Sequence, residues 1–99
     1  MKHSMSPAAT QLGEKVRRAR IELGLSQENI AELAQMHVTN YGKIERGIAN
    51  PSLVTILRIA SVLGTDVATL TAGLSRDHLP AEFDVLPAAD FLRERDRRR

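Results

Sequence analysis

An all-α fold of five short helices followed by a C-terminal extension is predicted by three features of the sequence. Apolar residues recur at helical spacing through residues 10–74. Most of these runs open on Ser or Asp and close on Gly, the residues that cap helix starts and stops. Hydrophobic residues make up 42% of the 99-residue chain but aromatics only 3%, so the core must be assembled from Leu, Ile and Ala, which suit helices. The length accommodates one small domain.

The first helix starts near Ser6-Pro7, where Ser can cap and Pro fits the first turn. Its stripe is Leu12, Val16, Ala19 and Leu23, and Gly24 stops it; Arg17, Arg18 and Glu22 lie off the stripe. Ser26 opens a second helix of about two turns, whose inner face is Ile30, Ala31 and Ala34. Asn29 stands where a strict capping box has Glu or Gln, so Ser26 is expected to cap alone. After Gln35-Met36-His37, a third helix runs from Val38 to about Arg46, with Tyr41 and Ile44 inward and Gly47 as a left-handed cap. Asn50-Pro51 marks a turn, and Ser52 caps a fourth helix with an apolar face of Leu53, Ile56, Leu57, Ala60 and Leu63, closed by Gly64. Asp66 caps the fifth helix, with Val67 and Leu70 inward and Gly73 at its end.

From residue 75 the character changes. Residues 75–99 hold two prolines, six acids and six arginines, with scattered Leu79, Phe83, Val85, Leu86, Phe91 and Leu92. A linker or partly ordered extension is expected, with a short helix from Ala88. The predicted organisation is an N-terminal arm over residues 1–9, a helical domain over 10–74, and an extension over 75–99 that is partly disordered or binds a partner.

Several function classes fall away on composition. Cysteine is absent, which excludes disulfide scaffolds, thiol nucleophiles and cysteine zinc sites. His3, His37 and His78 lack any ligand spacing, so neither a metal nor a cofactor is expected. With no Gly-rich phosphate loop after a strand and no nucleophile–base arrangement, the chain is not expected to be an enzyme. No apolar run approaches the roughly 20 residues that cross a bilayer. Met1 to Met5 have no apolar stretch behind them and do not read as a secretory signal. A cytoplasmic, nucleoid-associated location without membrane contact is the expectation. The net charge is +2, but five of the arginines crowd the last seven residues, so charge alone only hints at a polyanionic partner.

Two short helices joined by three residues, the second with a polar outer face, describe a helix-turn-helix. One helix crosses the phosphate backbone and the other enters the major groove. Ala31 lies where the two helices touch, so a larger side chain would push them apart. Leu25-Ser26-Gln27-Glu28-Asn29-Ile30-Ala31-Glu32, then Lys43-Ile44-Glu45-Arg46-Gly47 and Asn50-Pro51-Ser52-Leu53, resemble the Xre/Cro-type, phage-repressor-like helix-turn-helix family. The resemblance covers roughly residues 10–74 and implies a repressor-like domain.

It also implies roles. Base-edge contacts come from the positions of Val38, Thr39, Gly42 and Lys43. Phosphate contacts come from Gln27, Arg46, Asn40 and His37, the last of which either caps the third helix or meets phosphate when protonated. Asn40 has adenine as its other target. Arg20 and Glu45 match a structural ion pair of phage repressors. A homodimer is implied, with Val67, Leu70 and Leu74 as its interface and the stretch from Phe83 to Leu92 as a second candidate. That stretch could instead fold back onto the domain.

Three departures from the family pattern carry consequences. Gln35 stands where the family prefers Gly, so a side chain must take a left-handed conformation at roughly 1 kcal/mol. Tyr41 replaces Ile or Val, so its hydroxyl needs solvent, phosphate or a buried partner. Gly42, placed on the outer side, either lets the helix press close to base pairs or makes no contact. Lys15, Arg17 and Arg18 either line the DNA side or solvate the first helix, and Arg97-Arg98-Arg99 either add nonspecific affinity or are solvated.

The function expected is sequence-specific binding of double-stranded DNA by a transcriptional regulator, as a homodimer on a palindromic operator. The alternative is an antitoxin or restriction-modification-type controller whose C-terminal tail binds a protein partner. A protein-interaction module without DNA binding is disfavoured by Lys43 and Arg46.

Overall fold

Ser6 and Pro7 start the first helix as their chemistry dictates. In the computed structural model, which describes residues 5–98, α1 spans Pro7–Glu22, with the Ser6 hydroxyl accepting from the Ala9 N–H at 3.0 Å. His3 and Arg99, considered above as metal ligand and DNA contact, lie outside the described residues. The buried face of α1 is Ala9, Leu12, Gly13 and Val16. Leu23 does not continue that face. It is 51% exposed, because the helix ends at Glu22 and the chain turns away through Gly24 at φ +73°.

α2 (Gln27–Leu33) and α3 (Val38–Glu45) follow. Ser26 does more than cap alone: its hydroxyl accepts from the Asn29 N–H, and the Asn29 side chain accepts from the Ser26 N–H, both at 3.0 Å. Asn thus completes a reciprocal box with a side chain shorter than Glu or Gln. Between the helices Gln35 sits at φ +58°, the only non-glycine with positive φ among the described residues. The Met36 N–H donates to the Ala31 carbonyl at 2.9 Å across this turn, so the left-handed residue closes α2 in the way Gly usually does.

α4 (Leu53–Leu63) begins on Ser52, whose hydroxyl accepts from the Thr55 N–H at 3.1 Å, and ends on Gly64 at φ +74°. Its inward stripe is Ile56, Ile59, Ala60 and Leu63. Leu53 and Leu57, expected on that face, are 64% and 49% exposed. The apolar arc of α4 is wider than the core it meets, and the excess, together with Leu33 and Val54, lies open at the surface. α5 (Val67–Leu70) is a single turn capped by Asp66, which accepts from the Thr69 N–H at 2.7 Å and is held below the ordinary carboxylate range by that bond.

The core joins Leu12 and Val16 of α1, Ile30, Ala31 and Ala34 of α2, Tyr41 and Ile44 of α3, Ile59, Ala60 and Leu63 of α4, and Leu70 of α5. α1 runs through the centre, packing on α3, α4 and α5, while α2 packs on α3 and α4. Leu70 is 2% exposed and belongs to this core. Most of that side chain is packed within its own protomer, and it offers a dimer interface only the edge that lines the groove between α1 and α5. Val67 and Leu74 are half-buried.

Beyond Leu74 a 3-10 turn, Arg76–His78, is followed by an irregular stretch and α6 (Ala88–Arg97). Phe83, Val85, Leu86, Phe91 and Leu92 all remain exposed, so this stretch does not fold back onto the domain. The radius of gyration of 16.9 Å reflects the projecting extension, since a compact chain of this length has about 13 Å. No helix among the described residues is long and apolar enough to cross a membrane.

Candidate nucleic-acid interface

The outer face of α3 is set by its inner one. Tyr41, Ile44 and Glu45 are buried, which leaves Val38, Thr39, Asn40, Lys43 and Arg46 exposed at the helical spacing of one surface stripe. His37 precedes the helix and is exposed, and it makes no side-chain cap bond. The cap expected of His37 is absent because the imidazole does not bond the free N–H groups of the first turn. Those groups remain available to a ligand.

Gly42 is not on the outer side. It is buried, and a Cβ built there would stand 3.1 Å from Arg46 Nη1 and 3.3 Å from Gln27 Oε1. The missing side chain makes room for these two polar groups to close over the helix backbone. Gly42 therefore drops out as a direct base contact in this conformation, and Gln27 and Arg46 are what an approaching surface would meet.

Behind the stripe lies a polar hub. Glu45 is the one charged residue buried among those described, with its side chain 1% exposed. Arg20 Nε donates to Glu45 Oε2 at 2.7 Å and Arg20 Nη2 to Oε1 at 3.0 Å. Tyr41 Oη donates to Oε2 at 2.6 Å, and Gln27 Nε2 to Oε1 at 2.9 Å. Arg20 Nη1 reaches on to the Leu25 carbonyl at 2.8 Å, tying the end of α1 to the entry of α2. The Tyr41 hydroxyl thus finds a buried partner instead of solvent or phosphate. Gln27 is held by the hub through one hydrogen of its Nε2, which leaves its second N–H free to donate to an approaching acceptor.

The electrostatic consequence favours an anionic partner. Burial pushes the Glu45 carboxyl up, but the hydrogen bonds from Arg20, Tyr41 and Gln27 outweigh it and hold the group below the ordinary carboxylate range. Burial, with the bond to Glu45, raises Tyr41 instead. The only acid of α3 is thereby neutralised by Arg20, and the exposed charges of Lys43 and Arg46 stand uncancelled on the helix.

Stability should show a plateau with losses at both ends. Glu45 ionises more easily when folded, so its contribution is complete above about pH 4.3, the unfolded value. That contribution is lost as the pH falls through the lower folded value. Tyr41 contributes fully below about pH 10 and loses its share as the pH rises beyond that. Urea unfolding across the pH range checks this, with Tyr41→Phe removing the tyrosine part of the alkaline loss and retaining an acid limb.

α4 contributes to the same surface, which sequence reasoning missed. A shallow cavity of about 310 Å³ runs from Asn40 and Lys43 to Asn50, Ser52, Thr55 and Arg58. Arg58 Nη2 donates to Thr55 Oγ1 at 3.4 Å. The signal available was Asn50-Pro51-Ser52 itself, because a capped helix start presents positive charge and free N–H groups. What was not legible was that this start lies beside Lys43. Lys15, Arg17 and Arg18 belong to α1, and Lys15 Nζ donates to the Ala72 carbonyl at 2.7 Å.

Comparison with known proteins finds similar sequences and folds among regulators. The helix-turn-helix family model HTH_3 matches residues 16–70. The HTH-type transcriptional regulator DdrOP3 of Deinococcus deserti is 41% identical over 64 residues, covering 65% of this chain and 50% of its own length. This chain therefore spans half of that relative. Control protein C.SmaI of Serratia marcescens is 41% identical over 59 residues, covering 60% of this chain and 70% of its own. The crystal structure of the restriction-modification controller protein C.AhdI from Aeromonas hydrophila superposes with a TM-score of 0.61 at 37% identity, over 63% of this chain and 94% of that one.

Proposed function

Because the chain belongs to the helix-turn-helix family HTH_3, we propose that it is a DNA-binding transcriptional regulator of the control-protein kind. In this reading it acts as a homodimer that places two α3 helices in successive major grooves of a palindromic operator, roughly 34 Å apart. The observation that carries it is the exposed stripe of Thr39, Asn40, Lys43 and Arg46 on a helix whose only acid is buried and paired. Lys43 and Thr39 read base edges, with Val38 at the entry of the helix. Arg46, Asn40, Gln27 and His37 meet the backbone, joined by Arg58 and the start of α4. The likeness to C.SmaI and C.AhdI, which extends over most of each of those proteins, favours the control-protein form. A restriction gene adjacent to the operator would distinguish it from other regulators.

Selection of bound sequences from a random duplex library tests this reading. The expected result is a two-fold symmetric motif. Lys43→Ala should relax preference at one position of each half-site by about 1–3 kcal/mol. Arg46→Ala should instead weaken binding to all sequences and flatten the salt dependence. Enrichment of no motif, or binding that persists unchanged in both variants, would overturn it.

A further inference from the structure

One cavity of the described structure lies on no part of the proposed DNA surface. It is an open groove of about 660 Å³ between α1 and α5, within the range that holds peptide side chains and small ligands. Its floor is apolar, formed by Ala19, Leu23, Leu63 and Leu70, and its α1 wall carries Lys15 and Arg18. Arg18 makes no ion pair or side-chain hydrogen bond among the described residues, whereas Lys15 is engaged by the Ala72 carbonyl. Glu22 is the one acid in the lining.

The same chain carries a segment of matching chemistry. Residues 80–87 read Pro-Ala-Glu-Phe-Asp-Val-Leu-Pro, alternating two acids with apolar side chains between two prolines. The stretch from Phe83 to Pro87 has no regular structure, and Phe83, Val85 and Leu86 are all exposed. Pro87 biases Leu86 to an extended conformation, so less freedom is lost when the segment docks. Arg76 Nη1 donates to the Val85 carbonyl at 3.3 Å, which holds the segment in its own loop outside its own groove.

We propose that the 82–86 segment of one copy docks in the α1/α5 groove of a second copy, with Phe83 on the apolar floor and Glu82 or Asp84 against Arg18. Exchanged between two copies, the contact is isologous and closes after one pair, so it builds a dimer and not a filament. The inference rests on the dimeric reading above and specifies its interface. It leaves α3 of both copies uncovered.

Sedimentation equilibrium of the full chain tests it. Wild type should approach twice the protomer mass as concentration rises. Arg18→Glu should weaken the dimer at least tenfold, and the pair Glu82→Arg with Asp84→Arg should do the same. Combining all three should return the dissociation constant to within about threefold of wild type, a recovery that opposite charges across one contact predict. Phe83→Ala should also weaken the dimer, and its position outside every helix keeps folding intact. A dimer indifferent to all of these changes would overturn the exchanged segment while leaving a dimeric regulator standing. A monomer at every concentration would overturn both. A spin label at residue 83 that relaxes groove amides independently of concentration would overturn the exchange alone, because it would mean docking within one chain.

Discussion

Glu45→Ala is expected to lower the unfolding free energy by about 3 kcal/mol, because it strands a largely buried guanidinium. Arg20 loses both charge-assisted bonds, and the Tyr41 hydroxyl and Gln27 amide lose the acceptor that holds them. Arg20→Ala should cost a similar amount for the converse reason, a carboxylate left buried without its cation. The double variant should lose clearly less than the two single losses added, since each single change contains the penalty of an orphaned charge. Urea unfolding of the four proteins measures this. Additive losses would show that the two side chains do not act as a pair. Glu45→Ala should also free Gln27 and so weaken DNA binding, although residue 45 itself is buried.

Gly13→Ala sets two effects against each other. Ala in the middle of a helix is favoured over Gly by about 1 kcal/mol. Against that, a Cβ at residue 13 would lie 2.4 Å from the Ile44 carbonyl oxygen and 2.6 Å from that of Glu45. Those atoms belong to the backbone of α3 and cannot move aside as a side-chain tip would. Overpacking of this kind costs typically 1–3 kcal/mol, and separations this short put the cost at the upper end. A net loss of about 2 kcal/mol is expected, together with weaker operator binding as α3 shifts away from α1. A variant as stable as wild type would mean that α1 and α3 are less closely apposed than described.

The expected loss at Gly13 marks where reading by pattern stopped. Gly13 lies within the first helix and attracts no notice there, since a glycine within a helical run reads only as a small local cost. Its use appears once α1 lies against the carbonyls of residues 44 and 45, more than 30 positions away. Gly42 shows the opposite error. Its place in the third helix suggests the outer face, whereas Arg46 and Gln27 close over it. Gly47 was legible for its left-handed cap at φ +73°, but not for its approach to Thr10, whose Cα a Cβ would meet at 2.8 Å.

The polar hub was legible in pieces. The Arg20–Glu45 pair followed from resemblance, because nothing local connects two residues 25 positions apart. A hydroxyl at Tyr41 in need of a partner followed from the residue type, but the partner's identity did not. The sharing of one carboxylate by Arg20, Tyr41 and Gln27 depends on three helices meeting.

Helix order, the Ser6, Ser26, Ser52 and Asp66 caps and the cationic face of the third helix were determined by sequence alone, whereas the left-handed Gln35 followed from the family resemblance. Each cap rests on an interaction spanning four residues or fewer, so the information lies within a single turn of chain. The removal of Leu53 and Leu57 from the core, the burial of Leu70, the placing of Arg58 beside Lys43 and the open groove between α1 and α5 were decided by tertiary structure. Those outcomes depend on how much of each apolar arc a neighbouring helix covers, a quantity set by packing between segments distant in sequence.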